Sequence, residues 1–149
     1  PLVYGTGAPG NMRRLLGLVA ASTPLPLAGA REAKSFVGVD NLADFVVLVL
    51  DKPTVANRLF LVADSDRFST EQLVRAMAKG MGKPARLFAL PRRLVGLASR
   101  TPGVGGPVRQ LFLPLAVDNQ AAQNLLGWAP APTEEGVIRM ARDFAAVPW

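Results

Sequence analysis

Apolar residues recur every three or four positions in several segments of the chain, which is the spacing of one buried face of an α-helix. A helix is predicted after Asn11, whose side chain can cap its first turn. A second helix is predicted from residue 41 to about residue 50, with Asp40 as its cap. Because this second segment is apolar almost all round, we expect it to be deeply buried.

Further helices are predicted from start and stop residues in the second half of the chain. A capping box of Ser69 and Gln72 opens one of them. Asp118 and Thr133 are predicted to cap two others. Additional helical patterns occupy residues 91–100 and 108–113.

Short apolar runs between these helices predict β-strands. They lie at residues 2–4, 35–39, 58–63, 85–90 and 115–117, and residues 24–27 form an edge strand or a docking segment. The runs at 2–4 and 58–63 are the strongest, and a long excursion separates them. The order of elements therefore predicts a mixed α/β fold whose strands belong to a larger sheet.

Composition narrows the chemistry that this chain can perform. With 149 residues, half of them apolar, it is long enough for one globular domain. The sequence contains no cysteine and no histidine. These absences exclude disulfides, thiolate metal sites, Ser-His-Asp and Cys-His catalysis and most zinc sites. We predict no metal site, and a cytoplasmic location fits the lack of cysteine.

The net charge of +6 comes from scattered lysines and arginines rather than from a basic block. A phosphate-bearing ligand, a nucleic acid or simply a solvated basic surface would suit this sign. No apolar run reaches the roughly 18 residues of a membrane span, and no signal peptide is recognised. Since the chain begins with Pro1 rather than methionine, we expect a part of a longer protein.

A glycine-rich loop at residues 5–10 matches the G-x-G-x-x-G pattern of dinucleotide-binding proteins. We reject this interpretation. Pro9 removes a backbone donor where pyrophosphate would need one, and the proline-containing segment 24–27 cannot be the required central strand. We therefore predict no cofactor-binding residue in this chain.

Several motifs occur in the order found in one enzyme family. The stretch 2–7 is similar to V-Y-G-P-G, and 34–44 resembles R-x-F-V-x-V-x-D-L-A-D. Residues 117–130 resemble V-D-x-S-K followed by L-G-W-x-P, and 133–136 resemble the S-L-E-E-G that follows. The chain thus resembles the C-terminal part of extended short-chain dehydrogenases, the NAD-dependent nucleotide-sugar epimerase/dehydratase family, in particular the branch acting on UDP-glucose or UDP-N-acetylglucosamine.

The resemblance implies an α/β fold made of the C-terminal substrate-binding lobe plus the last strands and helices of a Rossmann-type sheet. Residues 1–149 would be the substrate-binding region, and the N-terminal domain that binds NAD would lie outside them. The family's catalytic Y-x-x-x-K is not present, because the single tyrosine is Tyr4 and residue 8 is Ala8. We expect no catalytic residue here, and an inactive chain unless the other half is supplied.

The resemblance also assigns substrate-binding residues, each with a structural alternative. Asn11 would bond a diphosphate oxygen or sugar hydroxyl, or be a plain helix cap. Met12 would offer its backbone N–H, and Phe36 would pack near the base or ribose, unless both are core residues. Leu25 and Leu27 would present backbone groups to the base, or form an ordinary edge strand.

Two cations complete the predicted site. Lys34 stands where the family has an arginine on the diphosphate, although lysine lacks the bidentate fork. Arg109 lies near the family's second diphosphate arginine. Two cations on one diphosphate is the arrangement that charge neutralisation favours, and a solvated surface is the alternative for Lys34.

The resemblance predicts a UDP-hexose as ligand, a homodimer for the longer protein, and self-association of the isolated chain through apolar faces near Leu2 and Leu59. It predicts neither nucleic acid nor membrane as a partner. The rival hypothesis is a non-catalytic basic binding module that reuses the fold. Which sugar is bound, whether the reaction is epimerisation or dehydration, and the parent's oligomeric state stay open.

Overall fold

The computed structural model describes residues 1–91 and 114–147. The helix predicted over 91–100, except for its first residue, and the helix predicted over 108–113, which contains Arg109, lie outside this part. The elements in chain order are β1 (Leu2–Tyr4), α1 (Asn11–Ala20), β2 (Leu25–Ala28), β3 (Ala33–Gly38), α2 (Val39–Leu50), a 3-10 turn (Pro53–Val55), β4 (Arg67–Ser69), α3 (Thr70–Gly80), β5 (Leu87–Ala89), α4 (Gln120–Leu126) and α5 (Thr133–Ala146).

One small sheet has the strand order β1-β3-β4. β1 runs parallel to β3, with Leu2 opposite Phe36, and β3 runs antiparallel to β4. Leu115 adds a parallel bridge to Lys34. Because β1 and β3 are parallel, their carboxyl ends, at Tyr4 and Gly38, lie at the same edge of the sheet. The predicted mixed α/β architecture is confirmed.

A second sheet pairs β2 with β5 in parallel. Its register is irregular between Leu25 and Ala28, and the Leu25 N–H donates to the carbonyl oxygen of Arg86 at 2.8 Å. The prediction of an edge strand at 24–27 is confirmed. β2 thus lies in a different sheet from β1, so the glycine loop between them is not part of the β-α-β unit that a dinucleotide fingerprint requires.

The main core lies between this framework and helices α1, α3 and α5. α3 and α5 share the largest helix–helix contact among the described elements. They pack closely because Gly80 brings α3 against the backbone of Ile138 in α5. The face of α5 that contacts this core consists of buried residues that include Val137, Met140, Ala141 and Phe144.

The helix predicted at 41–50 is observed as α2, but the prediction that it is deeply buried is wrong. In α2 the buried residues are Asn41 and Phe45, while Leu50 is 76% exposed. Phe45 packs edge-on against Phe60 and Trp128, with ring centroids 5.7 and 5.2 Å away. The helix therefore buries one stripe, because within the described residues its neighbours contact only that side.

None of the helices in the described part of the chain is long and apolar enough to cross a membrane.

The strand predicted at 58–63 is also wrong, because the segment forms no β-ladder among the described residues. Leu59 is 88% exposed, and only at the end of the run does the Asp64 N–H reach the Phe36 carbonyl, at 2.8 Å. An apolar run becomes a strand only where a neighbouring strand takes up its backbone groups. The predicted exposure of apolar side chains near Leu2 and Leu59 is confirmed. Self-association of the chain through these side chains stays a prediction.

The four caps predicted from single residues are wrong by one or two positions. Asp40 lies inside α2, whose cap position is Gly38, and the cap position of α4 is Asn119 rather than Asp118. Asn11 and Thr133 are the first residues of their helices, and the cap positions are Gly10 and Pro132, neither with a side-chain bond. By contrast, the capping box of Ser69 and Gln72 is confirmed, with both reciprocal bonds formed.

Candidate functional site

A buried carboxylate holds together the carboxyl ends of β1 and β3. Asp64 is 4% exposed, and its Oδ2 accepts a hydrogen bond from the Tyr4 hydroxyl at 2.7 Å. Its Oδ1 accepts from the Gly38 N–H at 2.9 Å and from the Asn41 side-chain amide at 2.7 Å. Three donors therefore satisfy a carboxylate that could not otherwise be buried without a large desolvation cost.

Two further contacts extend this network to the segment before α5. The Asn41 amide donates to the Ala131 carbonyl at 3.0 Å and accepts from the Ala131 N–H at 3.1 Å. The Thr133 N–H donates to Asp66 at 2.7 Å. The network, which we call the Asp64 network (Tyr4, Gly38, Asn41, Asp64 and Ala131), thus joins four separate parts of the chain.

Glycines make room for the Tyr4 ring. A Cβ atom at Gly136 would lie 2.5 Å from the Tyr4 hydroxyl oxygen, and one at Gly38 would lie 3.2 Å from it. The ring also packs edge-on against Phe36, with centroids 6.5 Å apart. Gly38, Gly136 and Phe36 therefore pack closely around the Tyr4 ring and restrict its position.

Burial raises the pKa of Tyr4 well above its ordinary value of 10.0, and the hydrogen bond to the Asp64 carboxylate raises it further. Both effects disfavour the phenolate, because burial removes hydration from the charged form and Asp64 repels it. Tyr4 therefore stays neutral and donates its proton to a structural bond. Its pKa is raised rather than lowered, which does not suit a tyrosine that transfers its proton near neutral pH.

This geometry predicts an unusual spectroscopic titration. Since Tyr4 is the single tyrosine, ultraviolet absorbance of the phenolate reports on it alone. We expect no phenolate to form in the folded chain as pH rises through 10.0. A folded-state pKa above the unfolded one gives stability that is complete below the unfolded pKa and is lost as pH rises toward the folded pKa. Phenolate should therefore appear together with loss of circular dichroism; ionisation at an ordinary pKa in the folded chain would contradict the network.

A cavity of about 250 Å³ lies at the carboxyl ends of β1 and β3. It is bordered by the start of α2 and by α5, where Arg139 and Asp40 form an exposed ion pair at 3.2 Å. Among its polar lining residues, Tyr4 and Asn41 belong to the Asp64 network, and the Thr6 hydroxyl donates to Asp143 at 2.6 Å. Among the described residues, no group of acidic side chains is arranged to hold a metal ion.

The structure places the predicted substrate-binding residues as follows. Asn11 is exposed at the first position of α1, and Met12 beside it is buried. The side chains of Leu25 and Leu27 are buried, and the Leu27 carbonyl accepts from the Ala30 N–H at 3.1 Å. Of the predicted residues, Met12, Leu25, Leu27 and Phe36 meet in one core cluster.

Lys34 lies in β3, opposite Phe68 of β4, and its side chain is half-buried. Burial lowers the pKa of Lys34 because it removes water from the ammonium group, and Glu32 partly offsets this. A nearby anion would favour the charged form of such a lysine. Arg109, the second predicted cation, lies outside the described residues. None of these placements decides the substrate-binding role, which stays a prediction.

Sequence reasoning missed Asp64 and Asn41, the centre of the network. A weak signal existed: Asp64 directly follows an apolar run, where a carboxylate is unexpected unless it is paired. Asn41 offered none, since its partners lie 23 and 90 positions away in the sequence.

No protein-family model matches the chain. The chain is 34% identical over 145 residues to the UDP-glucose 4-epimerase of Vibrio cholerae. This match covers 96% of the chain and 44% of that relative, so the chain spans less than half the length of the curated relative it matches. The resemblance predicted from the motifs is confirmed.

Solved structures share the fold at low sequence identity. The UDP-glucuronic acid 4-epimerase from Bacillus cereus, in complex with UDP-glucuronic acid and NAD, matches 99% of this chain and 44% of its own. Its TM-score is 0.70 and its identity 16%. The UDP-N-acetylglucosamine 4-epimerase from Bacillus cereus gives a TM-score of 0.67 at 12% identity, over 94% of this chain and 42% of its own. The predicted fold class is confirmed.

Proposed function

We propose that this chain is the nucleotide-sugar-binding part of an NAD-dependent epimerase/dehydratase, and that the full-length protein interconverts UDP-hexoses at C4. The observation that carries the proposal is the 34% identity to a UDP-glucose 4-epimerase over 96% of the chain. Because the match spans 44% of that relative, the remaining 56% of its length is available for a cofactor-binding domain. Residues 1–149 are, on this proposal, the substrate-binding region.

On this proposal, NAD is bound by the part of the protein outside residues 1–149, and two features of the described residues support this. The glycine loop at 5–10 is followed by a strand in a different sheet, and Tyr4 is locked to Asp64. The cofactor and the tyrosine and lysine that move the sugar's proton are therefore assigned to the other part of the protein. NAD, bound there, would accept and return the hydride. The chain alone is expected to leave UDP-glucose unchanged.

Lys34 is the described residue best suited to hold the diphosphate. It is half-buried at the start of β3, where burial already opposes its positive charge. A diphosphate would relieve this opposition, because two opposite charges in a partly dry site attract strongly. Asn11, the backbone of Met12, Leu25 and Leu27, the ring of Phe36, and Arg109 complete the proposed site.

The test is a calorimetric titration of the chain with UDP. We expect saturable binding, and we expect Lys34→Met to weaken it by about tenfold to a hundredfold, because a charge-assisted bond contributes about 1.5–3 kcal/mol. Lys34→Arg should bind nearly as well as the unchanged chain.

Arg142→Met is the control for lost charge, since Arg142 is exposed on α5. It should bind UDP like the unchanged chain. Equal weakening by both variants would mean that only the net charge of +6 matters, which favours the rival basic binding module. Failure of the unchanged chain to bind UDP would count against the proposed function.

A further inference from the structure

Glu71, in the first turn of α3, bonds to a part of the chain far from its own helix. Its side chain is 13% exposed, and its Oε2 accepts a hydrogen bond from the Gly29 N–H at 2.9 Å. Its Oε1 accepts from Arg75 on the same helix at 2.9 Å, and Arg31 lies 3.6 Å from Oε2. The carboxylate thus bridges α3 and the connection between β2 and β3.

Glu71 both donates a hydrogen bond to this connection and accepts one from it. The Glu71 N–H donates to the Ala30 carbonyl at 3.2 Å while its side chain takes the Gly29 N–H. Gly29 has a φ of 95°, a conformation that side chains rarely adopt, so the turn is specified by glycine and held from outside. Ala30 is fully buried beside it. Two bonds therefore fix the turn on the N-terminus of α3.

The backbone that leads into this turn has weak support from its own sheet. β2 pairs only with β5 among the described strands, and the register shifts between Leu25 and Ala28. The backbone after the turn leads at once into β3, where Lys34 stands. The separation between β2 and Lys34 is thus set at the turn.

The ionised form of Glu71 is favoured. The Gly29 N–H contributes most to lowering the pKa of this carboxyl, and the bond from Arg75 lowers it further. The stability that this group contributes is therefore present above its unfolded pKa and is lost as pH falls through the folded pKa. Near neutral pH the bridge is made by a full negative charge, which gives a stronger bond than a neutral acceptor.

We propose that Glu71 is a positioning residue, which sets the spacing between β2 and Lys34 and thereby the affinity for the uridine diphosphate part of a nucleotide sugar. The inference rests on the proposed function, because it needs β2 and Lys34 to contact that ligand. Glu71 itself does not touch the ligand. It acts through Gly29.

The experiment compares four variants by calorimetric titration with UDP. Glu71→Leu removes the acceptor, and we expect affinity to fall about tenfold. Glu71→Asp keeps the charge but is one methylene too short for Gly29, and we expect a similar loss. Glu71→Gln keeps an acceptor oxygen at full length and should stay within about threefold of the unchanged chain. Glu135→Leu removes a glutamate from the first turn of α5 and should have no effect on UDP binding.

Hydrogen exchange of the Gly29 amide gives a readout that needs no ligand. We expect faster exchange in Glu71→Leu and Glu71→Asp, with helical circular dichroism retained. Unchanged Gly29 exchange, or unchanged UDP affinity in both variants, would overturn the positioning role while leaving the proposed function intact. Absence of UDP binding by the unchanged chain would overturn both, and a loss of affinity in Glu135→Leu equal to that in Glu71→Leu would overturn the positioning role alone.

Discussion

Replacing Asp64 with alanine is expected to lower the free energy of unfolding by about 3–5 kcal/mol, because each buried donor left without an acceptor costs about 1–3 kcal/mol. The donors are the Tyr4 hydroxyl, the Gly38 N–H and the Asn41 amide. The Tyr4 hydroxyl has partial relief, since the Thr133 carbonyl lies 3.3 Å away. Urea denaturation followed by circular dichroism measures the loss.

Asp64→Asn separates the role of the acceptor from that of the charge. Its amide oxygen can still accept from Gly38 and Asn41, and its amide nitrogen can donate to the Tyr4 oxygen. We therefore expect a loss of roughly 1 kcal/mol, similar to that of a single weakened hydrogen bond. Asp44→Ala, at an exposed position of α2, should change stability by less than about 0.5 kcal/mol. A loss in Asp64→Ala no larger than in Asp44→Ala would contradict the network.

Gly80→Ala is expected to cost about 2–3 kcal/mol, in the upper part of the roughly 1–3 kcal/mol range for forcing extra atoms into a well-packed core. A Cβ atom at this position would press on the carbonyl oxygen of Ile138 and would lie 2.9 Å from the Cβ of Ala141. Neither atom can swing aside, because one belongs to the backbone of α5 and the other is fixed to it. α3 and α5 must therefore separate, and the buried faces of both helices lose contact.

Gly17→Ala is the matched control for this prediction. Gly17 also lies inside a helix, and a Cβ there would meet nothing within 4 Å. Because alanine favours a helix over glycine by roughly 0.5–1 kcal/mol, this variant should be more stable than the unchanged chain. Thermal or urea denaturation of the two variants should thus give shifts of opposite sign. Shifts of the same sign would show that helix propensity, rather than the contact between α3 and α5, controls both positions.

Features that depend on a few neighbouring residues could be predicted from the sequence. The capping box of Ser69 and Gln72 is observed, and α4 ends at Gly127, which has a φ of 69°. Each involves bonds or backbone angles within about four positions, so the required residues stand next to each other in the sequence. The family motifs were readable for the same reason, and the comparisons confirm the resemblance and the fold class.

Features that depend on distant partners were decided by the tertiary structure. The apolar runs at 41–50 and 58–63 suggested burial, yet Leu50 and Leu59 are exposed. An apolar run indicates only that burial of its residues would be favourable. Whether another part of the chain covers them depends on packing. The predicted caps failed more narrowly, because Asn11 and Thr133 are both the right residue type for a cap but stand one position inside their helices.

The sequence by itself thus determined the described helices, the absence of histidine and cysteine chemistry, and the family that the chain resembles. Only the tertiary structure decided that Tyr4 donates to Asp64, 60 positions away, and that Glu71 holds Gly29, 42 positions away. The sequence does not indicate which distant donor will form a hydrogen bond with a given carboxylate. The fold selects the donors that make burial of that charge tolerable, and it brings these residues together where β1 pairs with β3 and α3 packs on α5.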